Sequence, residues 1–319
     1  MTFNAKVYAD TRNISREKWL ELRRNGIGGS EASAIMGLNP YSSPLHVYMD
    51  KIGKGKEEEP NEAMIQGTDL EGYVAERFTR DTGMKVRKVN RILQHPEYPW
   101  MLANIDREVV GLNAGLECKT TSPFSKFKFD DGEINPHYYW QSMHYMAVTG
   151  AERWFVAVLV LGKAFHVFEI KRDESAIQRL FEAEMAFWES NVIPKVPPLP
   201  TGNEADDEAI AAIYPVGNDD EEEAADVSDL ENILNLRDLT MKRRDELDAE
   251  IKEYDQQIKM ALGTNQRGFS TTWKINWTNT STSRVDAKLL RQKYPQIAEE
   301  VTKTTTGRRF SVAKMKEEQ

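Results

Sequence analysis

WMLANIDREVVGLNAGLECKTTS, residues 100–122, decides the fold. Two β-rich arms flank Gly111-Leu112-Asn113-Ala114-Gly115, a cluster of turn formers, so the stretch reads as a hairpin. On its second arm Glu117 and Lys119 are two residues apart and share one face of the strand, while Leu116 and Cys118 take the other. Asp106 lies on the first arm, and pairing across a turn centred on Asn113 places it near position 120, within reach of that same face. A lone Glu-x-Lys on a strand reads most simply as a salt bridge on a solvated sheet face. The same residues also suit phosphodiester hydrolysis, which needs carboxylates from different elements to hold a hard cation and a further cation beside the attacked phosphate.

The elements around the hairpin place it inside a mixed α/β domain. Upstream, a helix around Trp19 to Arg24 leads through a Gly-rich turn to a second helix for which Ser30 is the expected N-cap, with Glu31 in its first turn and Gly37 past its end. Leu45 to Lys51 reads as a short amphipathic helix. GTDLEGYVAERFTRDTG is the clearest helix, with Leu70, Val74 and Phe78 on one stripe and Gly83 as the stop. Val86 to Ile92 reads as a strand. Downstream, Asn135-Pro136 opens a helix that runs to Gly150. ERWFVAVLVLGKAFHVFEIKRD is a second hairpin about Gly162-Lys163, its first arm apolar enough for a central strand. Glu174 to Asn191 closes the unit as an amphipathic helix.

Beyond it, PKVPPLP at 194–200 is a stiff connection, and the acidic run through Asp226 has the composition of a disordered segment. Leu247, Ile251, Tyr254, Ile258 and Ala261 alternate steps of four and three, a heptad seam expected in a coiled coil or helical hairpin. The tail holds a strand-like STTWKINWT, a helix from Asp286 to Tyr294 and a basic end, GRRFSVAK. The expected organisation is a core domain over 1–200, an acidic linker over 201–228 and a coiled-coil and small α+β extension over 229–319.

Charge is unevenly spread over the 319 residues, whose formal net is −9. Residues 201–250 hold 4 Lys/Arg against 17 Asp/Glu, whereas residues 251–319 hold 13 against 7. The acidity is therefore local, and the total neither supports nor excludes a polyanionic partner. The single cysteine, Cys118, excludes a disulfide framework and any four-cysteine zinc or iron–sulfur site. GKGKEEEPNE, a charged loop, lacks P-loop spacing, so no ATPase is expected. No signal peptide and no apolar run of roughly 20 residues is seen, which points to a soluble, cytoplasmic protein.

Five blocks in order, LRRNGIGGSEASAIMGLNPYSSPLHVY, GTDLEGYVAERF, NIDREVVG, GLECKT and YWQSMHYMAVTG, resemble the YqaJ-like recombinases, the phage-encoded group that contains phage lambda exonuclease. Asp106-x10-Glu117-x-Lys119 then matches the PD-(D/E)XK nuclease pattern, with Ile105 where proline is usual. The resemblance implies a central mixed β-sheet flanked by helices and a Mg²⁺-dependent site, Mn²⁺ able to substitute, with two ions. It implies that Asp106, Glu117 and the Cys118 backbone carbonyl bind metal, and that Lys119 orients the attacking water and stabilises charge on the phosphate. Glu71 would complete the shell or hold a water of it, although Thr68-x-x-Glu71 also reads as a local capping box. Gln141 and Tyr145, at i and i+4, match the QxxxY motif of the exonucleases and also suit ordinary packing. Arg23 and Ser30 match a 5′-phosphate pocket, with Arg24 as a neighbour able to substitute for Arg23. His46 and His144 lack partners at ligand spacing and read as structural.

The activity so implied is 5′-to-3′ exonuclease action on linear duplex DNA ends, leaving 3′ single strands for recombination with a single-strand annealing protein of the RecT or Red-beta type. A homo-oligomeric ring is implied as well. The alternatives are a structure- or site-specific endonuclease on the same fold and a catalytically silent DNA-end-binding protein.

Overall fold

The computed structural model describes residues 3–55, 60–125, 127, 129, 132–217, 225–303 and 308–315. The middle of the charged loop expected over 53–62 and of the acidic run lies outside these. The chain divides into two units, Met1–Pro215 and Val216–Gln319.

In chain order, the first unit holds β1 (Lys6–Asp10), α1 (Arg16–Arg24), α2 (Gly29–Ile35), α3 (Pro44–Lys51) and α4 (Glu62–Thr82). Then come β2 (Val86–Lys88), β3 (Arg91–Gln94), β4 (Leu102–Asn104), β5 (Arg107–Val109) and β6 (Ala114–Thr121). It closes with α5 (Pro136–Thr149), β7 (Arg153–Val160), β8 (Ala164–Lys171), α6 (Glu174–Phe187) and α7 (Glu204–Ile213). The main sheet runs β2-β5-β6-β7-β8, and a second antiparallel sheet runs β1-β3-β4. Among the described strands of these two sheets, β6 and β7 pair in parallel, joined by the α5 crossover, and the other neighbour pairs are antiparallel. The mixed sheet flanked by helices is the architecture expected.

Burial on both sides explains the continuous apolar run of β7. Trp154, Val156 and Val158 point to one face and pack with Met143 and Met146 of α5. Phe155, Ala157 and Leu159 point to the other and pack with Val74 and Phe78 of α4, together with Leu116. Each such large side chain sealed from water contributes about 1.5–3 kcal/mol. Gly115 is required by this packing, since a Cβ there would stand 2.2 Å from the Trp154 ring.

Several local expectations are corrected. Val86 to Ile92 is not one strand: the chain bends at Val89-Asn90, so β2 and β3 join different sheets. β4 and β5 split in the same way at Ile105-Asp106, and Val89 N–H donates to Asp106 O across the double bend. The register is also shifted. Arg107 pairs with Leu116, which sets Asp106 level with Glu117 rather than with Thr120. α4 begins at Glu62, capped by Asn61, so Thr68 is mid-helix with its hydroxyl on Met64 O, and no capping box holds Glu71. α6 ends at Phe187 and runs into a π-helical turn, Trp188–Val192. Part of the acidic segment expected as linker is helical: α7 is capped by Asn203, and the buried Asp206 carboxylate accepts from Thr201 and Asn203. Ala209 of α7 packs in the cluster of Leu45 and Tyr48.

The second unit holds α8 (Glu231–Leu262), the hairpin β9 (Arg267–Phe269) and β10 (Lys274–Asn276), then α9 (Ala287–Lys293) and α10 (Pro295–Glu300). The expected seam lies on one unbroken helix, with Leu247, Ile251, Tyr254 and Ile258 exposed.

Candidate active site

The bend between β4 and β5 aims Asp106 across β6. Its Oδ2 accepts the Cys118 N–H at 2.8 Å, which fixes the carboxyl beside Glu117 without using the Glu117 side chain. Alternation along β6 turns Leu116 and Cys118 to the α4 face and Glu117 and Lys119 to the α5 face, as the sequence requires. Lys119 Nζ donates to Glu117 Oε1 at 2.8 Å. Gln141, from α5, donates through Nε2 to the same Glu117 Oε1 at 2.8 Å and to the Tyr145 hydroxyl at 2.9 Å, which in turn donates to Asn104 O at 3.0 Å. Tyr145 fits because α2 brings a glycine there: a Cβ on Gly29 would stand 2.5 Å from its ring.

The electrostatics follow from this crowding. Burial, with the charge of Glu117 next, pushes the Asp106 carboxyl up to about 8. Burial works against the Lys119 ammonium, yet the Glu117 and Asp106 carboxylates outweigh it and hold its pKa above the usual lysine value. Burial also raises the Tyr145 phenol, so it stays a neutral donor. Two acceptors are left over: Glu117 Oε2 and Gln141 Oε1 are buried with no hydrogen-bond partner. Paired carboxylates, one of them proton-hungry, with an orphaned carboxylate oxygen, could hold a hard divalent cation, which takes one or two carboxylates and keeps waters.

Glu71 is placed differently. Arg107, opposite Leu116, points to the α4 face and donates directly to Glu71 Oε1 from Nη1, with Lys88 Nζ at 3.9 Å. Among the described residues no three carboxylate, imidazole or thiol groups converge as a ready metal cluster. The structure thus gathers Asp106, Glu117, Lys119, Gln141 and Tyr145, and leaves Glu71 bound to Arg107.

The cavity in front of these residues has a volume of about 190 Å³ and is also lined by Trp19, Arg23 and Ser30. Ser30 is not the helix cap; Gly28 is, with its N–H on Glu31 Oε2, so the Ser30 hydroxyl is released to accept from Arg23 Nη2 at 2.9 Å. Arg23 lies over the Trp19 ring, 4.6 Å from its centroid, and Nη2 stands 3.5 Å from Glu31 Oε1. Beneath it the fully buried Lys51 ammonium donates to Glu31 Oε1 at 2.7 Å and to Arg23 O at 3.1 Å. Arg24 faces away into a neighbouring cleft, 3.6 Å from Asp50. His144 is structural: Nδ1 meets Glu184 at 2.7 Å and Nε2 meets Leu102 O at 2.8 Å. His46 contacts Ser42.

Sequence reasoning missed Trp19, Glu31, Lys51 and Arg107. Trp19 was findable, being four residues before Arg23 on a helix; Glu31 and Lys51 meet across 20 positions, and Arg107 meets Glu71 across 36.

The chain is 37% identical over 312 residues to an uncharacterized protein of Bacillus subtilis (strain 168), YqaJ, covering 97% of both chains. Among solved structures it is similar to an alkaline exonuclease from Laribacter hongkongensis, at 22% identity, 55% of this chain, 91% of that one and a TM-score of 0.46. A phage-related exonuclease from Haemophilus somnus 129PT matches at 14% identity, 54% and 95% coverage and a TM-score of 0.42. The family model for the YqaJ-like viral recombinase domain matches residues 18–152, the span that carries Arg23, Ser30, Asp106, Glu117, Lys119, Gln141 and Tyr145. With near-complete coverage by its Bacillus relative, the chain belongs to the YqaJ family of viral recombinase-like proteins.

Proposed function

We propose that the chain is a metal-dependent 5′-to-3′ exonuclease that digests one strand of linear duplex DNA and leaves 3′ single strands for annealing. One observation carries the reading: a single cavity is lined by both the carboxylate–lysine pair and the hydrogen-bonded Arg23–Ser30 pair. A cavity with only the former would cut phosphodiesters; the added arginine fork selects a terminal phosphate.

Asp106, Glu117 and the Cys118 carbonyl would hold Mg²⁺ or Mn²⁺, with Glu71 joining for a second ion once it leaves Arg107. When bound, the metal neutralises the phosphate and lowers the pKa of water. The chain's own groups do the rest. Gln141 and Lys119 pin Glu117 Oε1, which leaves the buried Oε2 without a protein partner and available for coordination. Lys119, held cationic, orients the attacking water and offsets charge developing on the phosphate. Arg23, flattened on Trp19 and braced by Glu31 and Lys51, holds the 5′-phosphate and thereby sets which bond lies over Asp106. The exposed seam of α8 suits self-association in a homo-oligomer, and the 3′ strand would pass to a single-strand annealing partner. Among the described residues no helix is long and apolar enough to cross a membrane.

The test is digestion of three substrates with Mg²⁺: linear duplex with 5′-phosphate, the same duplex with 5′-hydroxyl, and covalently closed circles. The reading expects fast, slow and no degradation in that order; equal cutting of circles would assign the site to an endonuclease.

A further inference from the structure

Behind the double bend that carries Asp106 lies a second cleft, of about 340 Å³. Its walls are cationic. Arg12 follows β1, Arg87 and Lys88 belong to β2, and Arg91 opens β3, with Asn90 at the corner. Two of the guanidinium groups are fixed by chelation. Arg87 donates through Nε and Nη2 to Glu108, whose side chain is only 4% exposed and forms the floor. Arg12 donates through Nε and Nη2 to Asp10. Held by one edge, each fork keeps its Nη1 without a protein acceptor among the described residues, and the two side chains are 65% and 56% exposed. Among the described residues, four cations stand against Asp10, Glu108 and, beside Lys88, Glu71, a cationic balance in a chain whose formal net charge is −9.

The cleft adjoins the candidate active site. Lys88 Nζ stands 3.9 Å from Glu71 Oε1, Lys88 is the strand partner of Arg107, and Val89 N–H reaches Asp106 O. A nucleic-acid strand carries a charge every ~3.4 Å of its axis, so a strand engaged at Asp106 must lay further phosphates over the adjoining surface. Pre-oriented guanidinium edges match phosphate oxygens better than mobile lysines do.

We infer that this cleft holds backbone phosphates of the DNA whose end occupies the Asp106–Glu117 cavity. The inference rests on the nuclease reading. A DNA strand is favoured over an acidic polypeptide because the cleft is built on the same bend as the catalytic carboxylate.

The experiment uses the full chain with Ca²⁺ in place of Mg²⁺, so that binding is read without cutting. Affinity for a dye-labelled 5′-phosphorylated duplex is measured across a salt series for wild type, for Arg12→Gln/Arg91→Gln and for the control Arg80→Gln/Arg153→Gln. Each lost phosphate contact lowers the slope of log affinity against log salt by about 0.9. Between 50 and 200 mM salt the cleft variant should therefore lose about 12-fold less affinity than wild type, while the control follows wild type. An unchanged slope in a cleft variant with an unchanged melting temperature would overturn the assignment. So would an unchanged DNA slope with lost binding of a polyglutamate peptide, which would give the cleft to an acidic protein. Digestion by wild type in Mg²⁺ is run alongside: if it is absent, it is the nuclease reading that has failed.

Discussion

The charge of Asp106 is disfavoured by its surroundings, and replacing it with asparagine makes this measurable. The carboxyl is raised from 3.8 to about 8, first by burial and then by Glu117. A folded-state pKa above the unfolded one means that the associated stability is full below about pH 4 and is lost as pH climbs towards 8. At about 1.4 kcal/mol per pH unit, the loss between pH 5 and pH 8 is about 4 kcal/mol for a sealed group. Asp106 is half-buried and opens on the cavity, so solvent screening reduces the working figure to about 2 kcal/mol. Asparagine keeps an acceptor for the Cys118 N–H and carries no charge. In EDTA at pH 8, Asp106→Asn should therefore melt above wild type by roughly 4–8 °C, and the gap should narrow at pH 5. Adding Mg²⁺ should raise the melting temperature of wild type and leave the variant unmoved. Differential scanning fluorimetry of both proteins on a pH grid, with and without Mg²⁺, reads all three outcomes. A variant less stable than wild type in EDTA at pH 8, or a gap that does not change with pH, would refute the reasoning.

The other predictions concern single contacts. Glu117→Gln and Lys119→Met should each lower digestion of linear duplex by about 10²–10⁴-fold while leaving affinity for DNA in Ca²⁺ within a few-fold of wild type; near-full activity in either would remove these residues from the site. Gly29→Ala forces a methyl into the Tyr145 ring and should cost about 1–3 kcal/mol in urea unfolding together with a loss of activity, whereas an unperturbed variant would mean that α2 can shift. Arg23→Ala should abolish the preference for 5′-phosphate over 5′-hydroxyl ends, measured as the ratio of initial rates; an unchanged ratio would reject the anion contact. Glu71→Gln should raise the Mg²⁺ concentration for half-maximal rate by about 10-fold or more; if the rate at saturating Mg²⁺ falls with no change in that concentration, Glu71 serves Arg107 alone.

Much of this was legible in the sequence because it depends on local periodicity. The two faces of β6, the buried run of β7 and the capped helix α5 follow from alternation and from end signals. What failed depends on where the chain bends. Residues Ile105 and Asp106 change sheets, and no residue type there announces it, so the register counted from the turn placed Asp106 against the wrong neighbour. The capping of α2 and α4 misled for a different reason. Ser30 and Thr68 are good caps by type, but Gly28 with Glu31 and Asn61 with Glu62 begin those helices earlier, which frees one hydroxyl for Arg23 and turns the other into a mid-helix contact. The helix α7 was readable from Asn203-x-x-Asp206, and the density of acidic residues around it concealed the signal. Glu71 shows the limit most clearly: its partner Arg107 is 36 residues away, and only the folded sheet brings them together.

The central claim is that Asp106, Glu117 and Lys119 form a metal-dependent hydrolytic centre working from a 5′ end. Its most direct test is a time course on linear duplex labelled at the 5′ end of one strand, with Mg²⁺, with EDTA, and with Glu117→Gln in Mg²⁺. The account predicts that wild type with Mg²⁺ releases the label as mononucleotide from the first time point and that the other two reactions leave it in full-length strand. Release in EDTA, equal release by Glu117→Gln, or a ladder of progressively shorter labelled strands would contradict it.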